Sequence, residues 1–313
     1  MPAEPADTAP CPPEITVVVR SHNDRDLIRD TLTMLCDQTV ADRMEILLFD
    51  DNSTDGTLEA AMPFSSVTII PWDGLPYNPP RVLNRAVDAA HGNYIVFNNS
   101  DAVPCSRDAV ERIVAPLRDP GVGAVYGNQL PRTDALPLVR KDYERAFGDG
   151  TVAASWGFMF SLVFSAVRTD VARRIRFNPA FQYSEDIDWA LRIRESGLKI
   201  VYEKDAAVVH SHNYTPEILR KRFYNEGIAN GMLYGAKPCF CRAFLGFAVE
   251  SARDFLYLCH HHELGYCFKG IRYRWIQRMS CFRGEKYAWQ QNFFHKKDSP
   301  VPLVPKEAEP PLR

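Results

Sequence analysis

No stretch of the 313-residue chain is apolar over the ~20 residues that a membrane-spanning helix needs. The nearest run, Val152 to Val167, is interrupted by Ser155, Gly157, Ser161 and Ser165. It reads instead as a buried strand with a flanking segment. An excess of one charge is also missing, with 37 Lys and Arg against 39 Asp and Glu. The average therefore implies no polyanionic partner, and with no recognised binding module, nucleic acid is not expected as a ligand. The opening residues, MPAEPADTAPCPPE, have neither a basic n-region nor an apolar h-region. Residues 1–13 are expected to be a Pro-rich disordered leader rather than a signal peptide, and 299–313 a similar tail. The eight cysteines lack the dense spacing of a disulfide scaffold, which fits a reducing cytosol. Cys239-x-Cys241, Cys259 beside three histidines, Cys267 and Cys281 do not form paired zinc-finger spacings, so ordinary thiols are expected over zinc. Finally, no G-x-G-x-x-G follows the first apolar run. Without those glycines the backbone cannot approach a pyrophosphate as dinucleotide folds do, which argues against a nicotinamide or flavin dehydrogenase.

What is present is a strand–helix alternation. Short apolar runs at 15–19, 45–49, 67–70, 94–97 and 122–126 predict buried strands. Helical spacing of apolar residues at 24–36, 81–90 and 106–117, with a short helix at 55–62 ended by Pro63, fills the gaps. His91-Gly-Asn93 closes the third of these helices, where glycine suits a left-handed terminal position. Strands at 198–202 and 206–209 follow a helix over 189–195. This order predicts an α/β domain over about residues 14–235, with a mostly parallel central sheet and helices on both faces. Such sheets bind ligands at the carboxyl ends of their strands.

Polar residues cluster at those ends. The first strand stops at Arg20-Ser21-His22-Asn23 and the second at Asp50-Asp51-Asn52-Ser53. A carboxylate there can accept from ribose hydroxyls or a base N–H, although Ser53, Thr54 or Asp55 also fits a helix cap. The fourth strand stops at Asn98-Asn99-Ser100-Asp101. Asp101, with neutral Asn99, can offer oxygen to a divalent ion bridging a diphosphate, and the same residues also fit a polar turn. Glu185 and Asp186 open a helix, where carboxylates suit the helix dipole; either can also act as a general base toward a sugar hydroxyl. His210 and His212 end the last strand and could complete a metal site or lie in a polar loop. Trp156, Tyr183 and Trp189 are candidates for stacking on a sugar, and aromatics of this kind also build cores.

Taken in order, Val17-Val-Val-Arg-Ser-His-Asn23, Phe49-Asp-Asp-Asn-Ser-Thr-Asp-Gly-Thr57, Asn98 to Pro104 and Ser184-Glu-Asp186 resemble the family 2 glycosyltransferases of GT-A fold. Leu83-Asn84, Val125-Tyr-Gly-Asn-Gln-Leu-Pro131, Ser184-Glu-Asp-Ile-Asp-Trp-Ala190 and Ser211-His-Asn-Tyr-Thr215 are most similar to bacterial rhamnosyltransferase-like members. The resemblance implies an inverting transferase using a dTDP-, UDP- or GDP-linked sugar and a glycan or lipid-linked acceptor, in cell-surface polysaccharide synthesis. It implies that Arg20, Ser21, Asn23, Asp50, Asp51, Arg81, Asn99, Ser100 and Asp101 serve the nucleotide. Asp101 takes the second acid of the family's D-x-D, with His210 or His212 near the metal, and Asp186 is the base beside Glu185. Asn99 stands where the first acid of D-x-D often does. One charge is lost, which puts dependence on Mg2+ or Mn2+ in question. Arg81, Lys221 or Arg222 could offset the leaving group's charge.

Beyond Gly235 the pattern changes. From Lys237 to Asp298 there are eleven Lys and Arg against five Asp and Glu, with His260, His261, His262 and His295. Apolar residues at 244–258 and the run Ile271 to Arg278 predict a helical, basic and aromatic extension over 236–298. It reads as a lid on the catalytic domain, or as a peripheral contact of 240–290 with an anionic membrane from the cytoplasmic side. A sugar-nucleotide-binding protein without turnover, favoured by Asn99, and a nucleotidyltransferase are the competing functional readings.

Overall fold

The apolar runs condense into one eight-stranded sheet in a computed structural model that describes residues 12–71, 73–235 and 237–291. The strands are β1 Ile15–Ser21, β2 Met44–Asp50, β3 Val67–Ile70, β4 Tyr94–Asn99, β5 Val103–Pro104, β6 Val122–Leu130, β7 Phe164–Arg168 and β8 Lys199–Val209. The helices are α1 Arg25–Cys36, α2 Thr57–Ala61, α3 Pro79–Ala89, α4 Ala109–Val114, α5 Pro137–Ala146, α6 Thr151–Ala154 and α7 Thr169–Arg174. They continue with α8 Glu185–Glu195, α9 Pro216–Tyr234, α10 Phe240–His260 and α11 Cys267–Gln290. The proposed tail, His295, and all but residues 12 and 13 of the proposed leader lie outside the described residues.

Sheet order is β3-β2-β1-β4-β7-β6-β8-β5. β1 pairs in parallel with β2 and β4, and β2 with β3, so four carboxyl ends share one edge. Both faces are covered. Val17 and Val19 pack into one apolar cluster and Val18 into the other, which is why this run is unbroken rather than alternating. The mostly parallel expectation holds in the first half. β7 is antiparallel to both β4 and β6. The chain leaves β6 at the carboxyl edge, stays there through α5 and α6, and re-enters the sheet from that edge without a crossover.

Several boundaries move for local reasons. α3 begins at Pro79, earlier than expected, because the Asn78 side chain accepts from Arg81 N and prolines fill the first positions. The helix expected at 106–117 shortens to α4, followed by a tighter turn over 115–118 at Pro116. The two strands expected at 198–202 and 206–209 are one strand, β8, with a register shift against β6. Val152 to Val167 divides into α6, a loop and β7, with Val152 and Phe158 exposed. Gly92 is not left-handed, since it is absent from the positive-φ glycines. A Cβ there would stand 2.6 Å from Thr16 N, so glycine is needed for close backbone approach to β1.

The C-terminal helices attach in two different ways. α9 and α11 lie backbone against backbone: a Cβ on Gly227 would meet Cys281 O at 2.1 Å, and one on Gly284 would meet Tyr224 O at 2.0 Å. Gly231 faces Ala288 in the same seam. α10 is held instead by charge. Asp254 takes Lys141 at 2.5 Å and Arg274 at 2.7 Å, while Glu250 takes Arg145 at 3.0 Å. Arg274 also bonds Asp142 of α5, closing a buried network. No helix among the described residues is long and apolar enough to cross a membrane.

Candidate active site

Two clefts open where the parallel strands end. The first is walled by Arg20, Ser21, Asp50, Asp51, Ile70, Asp73, Arg81, Asn99, Ser100 and Asp101, among others. The adjacent acids of the second strand end have different jobs. Asp50 is buried, and its oxygens accept from Ser21 Oγ at 2.8 Å, Ser53 Oγ at 2.6 Å and Ser53 N at 2.8 Å. Asp50 thereby joins the two loops while it also lines the cleft. Asp51 keeps its carboxylate toward the cleft, and loss of hydration there raises its pKa. The expectation for Asn23 is corrected: it is not among the cleft-lining residues. It adopts φ 57°, a left-handed conformation that Asn tolerates, and its Oδ1 accepts from Thr54 N at 2.9 Å. Arg81 donates to Pro76 O and sits 3.6 Å from Asp73, which fixes the far wall.

The second, wider cleft is lined by Trp156, Phe158, Tyr183, Ser184, Glu185, Asp186, Arg222 and Glu226, and by Arg242 and Glu285 of the C-terminal helices. Ser184 precedes α8 with φ 56° and ψ 32°, a strained conformation for serine that sets the orientation of the first helical turn. The turn carries Glu185, Asp186 and Asp188. Asp188 is committed to Arg192 at 2.6 Å. Glu185 has only a 3.8 Å contact to Arg20. Burial, then repulsion from Asp186, pushes Glu185 up to about 7. Burial likewise raises Asp186, against the Ile187 N–H and Arg20. These two carboxylates titrate as a pair. Burial also raises Glu226 of α9.

Trp156 stacks on Phe158 and lines this cleft with Tyr183. Trp189 does not. It is fully buried between Phe160 and Phe177, and its indole N–H donates to Ile175 O at 2.6 Å. Its proposed sugar contact is corrected to a core role, because Trp189 lies one turn further along α8 than Asp186, where the helix packs on the second apolar cluster. Arg222 lines the second cleft against Tyr214, whereas Lys221 is not among the lining residues of either cleft.

Arg20 and Asn99 line both clefts. Asn99 Oδ1 accepts from the Arg20 guanidinium at 2.9 Å. The position that lacks an acid is therefore an anchor for a cation.

Beside them, Asp101, His210 and His212 each offer an atom, all within 4.8 Å of one another. His212 Nε2 lies 3.2 Å from Asp101 Oδ2 and 3.2 Å from His210 Nε2. Metal bonds of about 2.0–2.2 Å place neighbouring ligand atoms roughly 3–3.4 Å apart, so the spacing fits a divalent ion. His210 Nδ1 lies 2.9 Å from Gln129 Oε1 and 3.2 Å from Tyr143 Oη, and the tautomer protonated there turns the lone pair of Nε2 toward Asp101. Burial, with repulsion from His212, pushes His210 down to about 3, so it is neutral at ordinary pH. Arg132 donates to Asp101 O at 2.7 Å. Gln129, Arg132 and Glu226 were not expected at the site. Gln129 carried a signal, since it falls within Val125 to Pro131; Arg132 follows that run directly, and Glu226 reaches the site from α9.

Comparison with known proteins adds an independent line. The family described as Glycosyl transferase family 2 matches residues 16–175. The O-antigen chain rhamnosyltransferase RfbN of Salmonella typhimurium is 27% identical over 251 residues, covering 77% of this chain and 78% of its own length. The O-antigen chain rhamnosyltransferase WbaN of Salmonella anatum is 30% identical over 220 residues, covering 67% and 68%. Among solved structures, the mannosyltransferase PcManGT from Pyrobaculum calidifontis, in complex with GDP-Man and Mn2+, aligns with a TM-score of 0.63 and 20% identity, covering 92% of this chain and 91% of its own. Glucosyl-3-phosphoglycerate synthase from Mycobacterium tuberculosis, in complex with Mn2+, UDP and phosphoglyceric acid, aligns with a TM-score of 0.50 and 19% identity, covering 68% and 77%. The fold is that of the GT-A glycosyltransferases.

Proposed function

The chain belongs to glycosyl transferase family 2, and from that premise we propose that it transfers a rhamnosyl unit, with inversion, from a nucleoside diphosphate to a glycan or lipid-linked hydroxyl. The observation that carries this reading is the wall shared by the two clefts. Arg20 and Asn99 face the cleft of Asp51 and Arg81 on one side and the Glu185–Asp186 pair on the other. A sugar spanning that wall has its diphosphate on one side of C1 and an incoming hydroxyl on the other.

Asp51 accepts hydrogen bonds from the nucleoside, and Arg81 and Arg20 lie against the phosphates. Asp101, His210 and His212 would hold a divalent cation, which supplies positive charge to the departing diphosphate. The relatives solved with Mn2+ support this assignment. Arg20, held by Asn99, contributes further positive charge, which offsets part of what the missing acid would otherwise have contributed through a bound ion. On the opposite side Asp186 takes the proton of the acceptor hydroxyl as that oxygen bonds to C1 and the C1–phosphate oxygen bond breaks. One displacement inverts C1. Similarity to the two O-antigen rhamnosyltransferases supports the sugar, not its nucleotide.

The test is release of nucleotide from a panel of dTDP-, UDP- and GDP-linked sugars, by wild type and Asp186→Asn. The variant is expected to keep donor affinity and lose transfer. Normal turnover by the variant would remove Asp186 from the mechanism. The competing reading, a sugar-nucleotide-binding protein without turnover, is favoured by Asn99; release of nucleotide from no donor would establish it.

A further inference from the structure

Helix α10 is built inside out. Its 21 residues contain only three buried ones, Glu250, Asp254 and Leu258, two of which are acids facing the bases of α5 and α11. Phe240, Phe244, Leu245, Val249, Phe255 and Leu256 are exposed instead, Leu256 by 68%. At 100° per residue these positions, with Cys241, Ala248, Ala252 and Cys259, cover one unbroken side of the helix. No Lys, Arg, Asp or Glu interrupts that side. The pattern continues in α11, where Phe268 (86% exposed), Ile271 and Trp275 share a face and Trp275 meets Phe247 of α10 edge-on at 5.3 Å.

Charge on the same hairpin has one sign. Lys269, Arg272, Arg283 and Lys286 are exposed, as are Arg242 and Arg253, which pair with Glu285 and Glu250. None of its acids is exposed. Glu250 and Asp254 are buried, Glu263 is held by Arg140 and Glu285 by Arg242. The whole chain carries a formal charge of −2, so this basic surface is a local concentration and not an average property. A second copy of the chain would set these cations against one another. A neutral apolar partner would leave them unused.

We propose that the outer face of the α10–α11 hairpin seats on an anionic lipid bilayer, with its phenylalanines and leucines among the acyl chains and its bases at the headgroups. The hairpin lies in the interface and does not cross it. Arg242 and Glu285, at the hairpin's inner edge, also line the wider cleft. Seating the hairpin therefore holds that cleft's rim at the lipid surface. The docking is independent of the transferase reading; only the presentation of a lipid-linked acceptor to this rim rests on it.

The experiment is co-sedimentation of the full chain with vesicles of phosphatidylcholine alone, or of phosphatidylcholine with phosphatidylglycerol, at low and high salt. Retention is expected on the anionic vesicles and reduced by salt. Leu245→Glu with Leu256→Glu should weaken it by roughly ten-fold or more per site. Lys269→Ala and Arg272→Ala should each weaken it about five-fold. All four positions are exposed, so melting temperature and nucleotide release without vesicles should stay unchanged, separating loss of docking from loss of activity. Absence of retention, equal retention on both vesicle types, or unchanged retention of the Leu245→Glu, Leu256→Glu variant would overturn the proposal. So would a dimer in solution that the same two substitutions dissolve.

Discussion

A general base works best when its pKa lies close to the working pH, and the Glu185–Asp186 pair is placed to meet that condition. Glu185 is pushed up to about 7 and Asp186 is raised beside it. Transfer should therefore fall on the acid side at a pH above the ordinary carboxylate range, because burial raises Asp186. Glu185→Gln removes the like charge, lowers the proton affinity of Asp186 and moves that acid limb to lower pH; an unmoved pH profile would refute the coupling. The same shift has a sign for stability. A carboxyl whose folded pKa exceeds its ordinary 4.5 supports folding below 4.5 and withdraws that support as pH rises through about 7. Glu185→Gln should therefore melt at a higher temperature than wild type above pH 7, with the difference vanishing below pH 4.5. At the histidines, Gln129→Leu removes the nearer of the two partners of His210 Nδ1 and leaves Tyr143 Oη at 3.2 Å. Affinity for Mn2+ in the presence of nucleotide should drop about 10–100-fold, as for other lost second-layer partners. Calorimetric titration of the ion measures it.

Among elements, the α9–α11 seam depends on what is missing from side chains. Gly227 and Gly284 allow backbones to touch. Gly284→Ala places a methyl group 2.0 Å from Tyr224 O, and the helices must separate along the seam. A loss of about 1–3 kcal/mol is expected from overpacking of this kind, measurable by urea denaturation. If Gly284→Ala is neutral, the helices are not in backbone contact. This seam was not legible in the sequence, because a glycine inside a helix carries no label saying which neighbour it admits. α10 shows the same limit differently. Its apolar residues announced a helix, yet the pattern left open whether that face packs as a lid or turns outward to a membrane. Lys141, Arg145 and Arg274 decided that by claiming Glu250 and Asp254.

At the scale of the molecule, the strand ends were the legible part. An apolar run followed at once by Arg20, Asp50 or Asn99 marks a place where a buried strand surfaces, and the first four strands surface together because they are parallel. Asp101 and His212 meet although 111 positions separate them in sequence, because β5, which follows Asp101, begins beside the end of β8. The reversal at β7, the loop-joining role of Asp50 and the inward turn of Trp189 were not legible. Each depends on which partner fills the space, and that is settled only when distant segments pack.

The wall shared by Arg20 and Asn99 has a thermodynamic consequence. Arg20 lowers the proton affinity of both Glu185 and Asp186. A diphosphate that draws on the same guanidinium weakens that effect. Donor binding near pH 7 should then be accompanied by proton uptake, visible as a binding heat that varies with the ionisation enthalpy of the buffer. Linkage makes this reciprocal: donor affinity should rise as pH falls through 7, opposite in direction to catalytic rate. The two arms of that wall set a compromise, so that the pH of tightest donor binding and the pH of fastest transfer need not coincide.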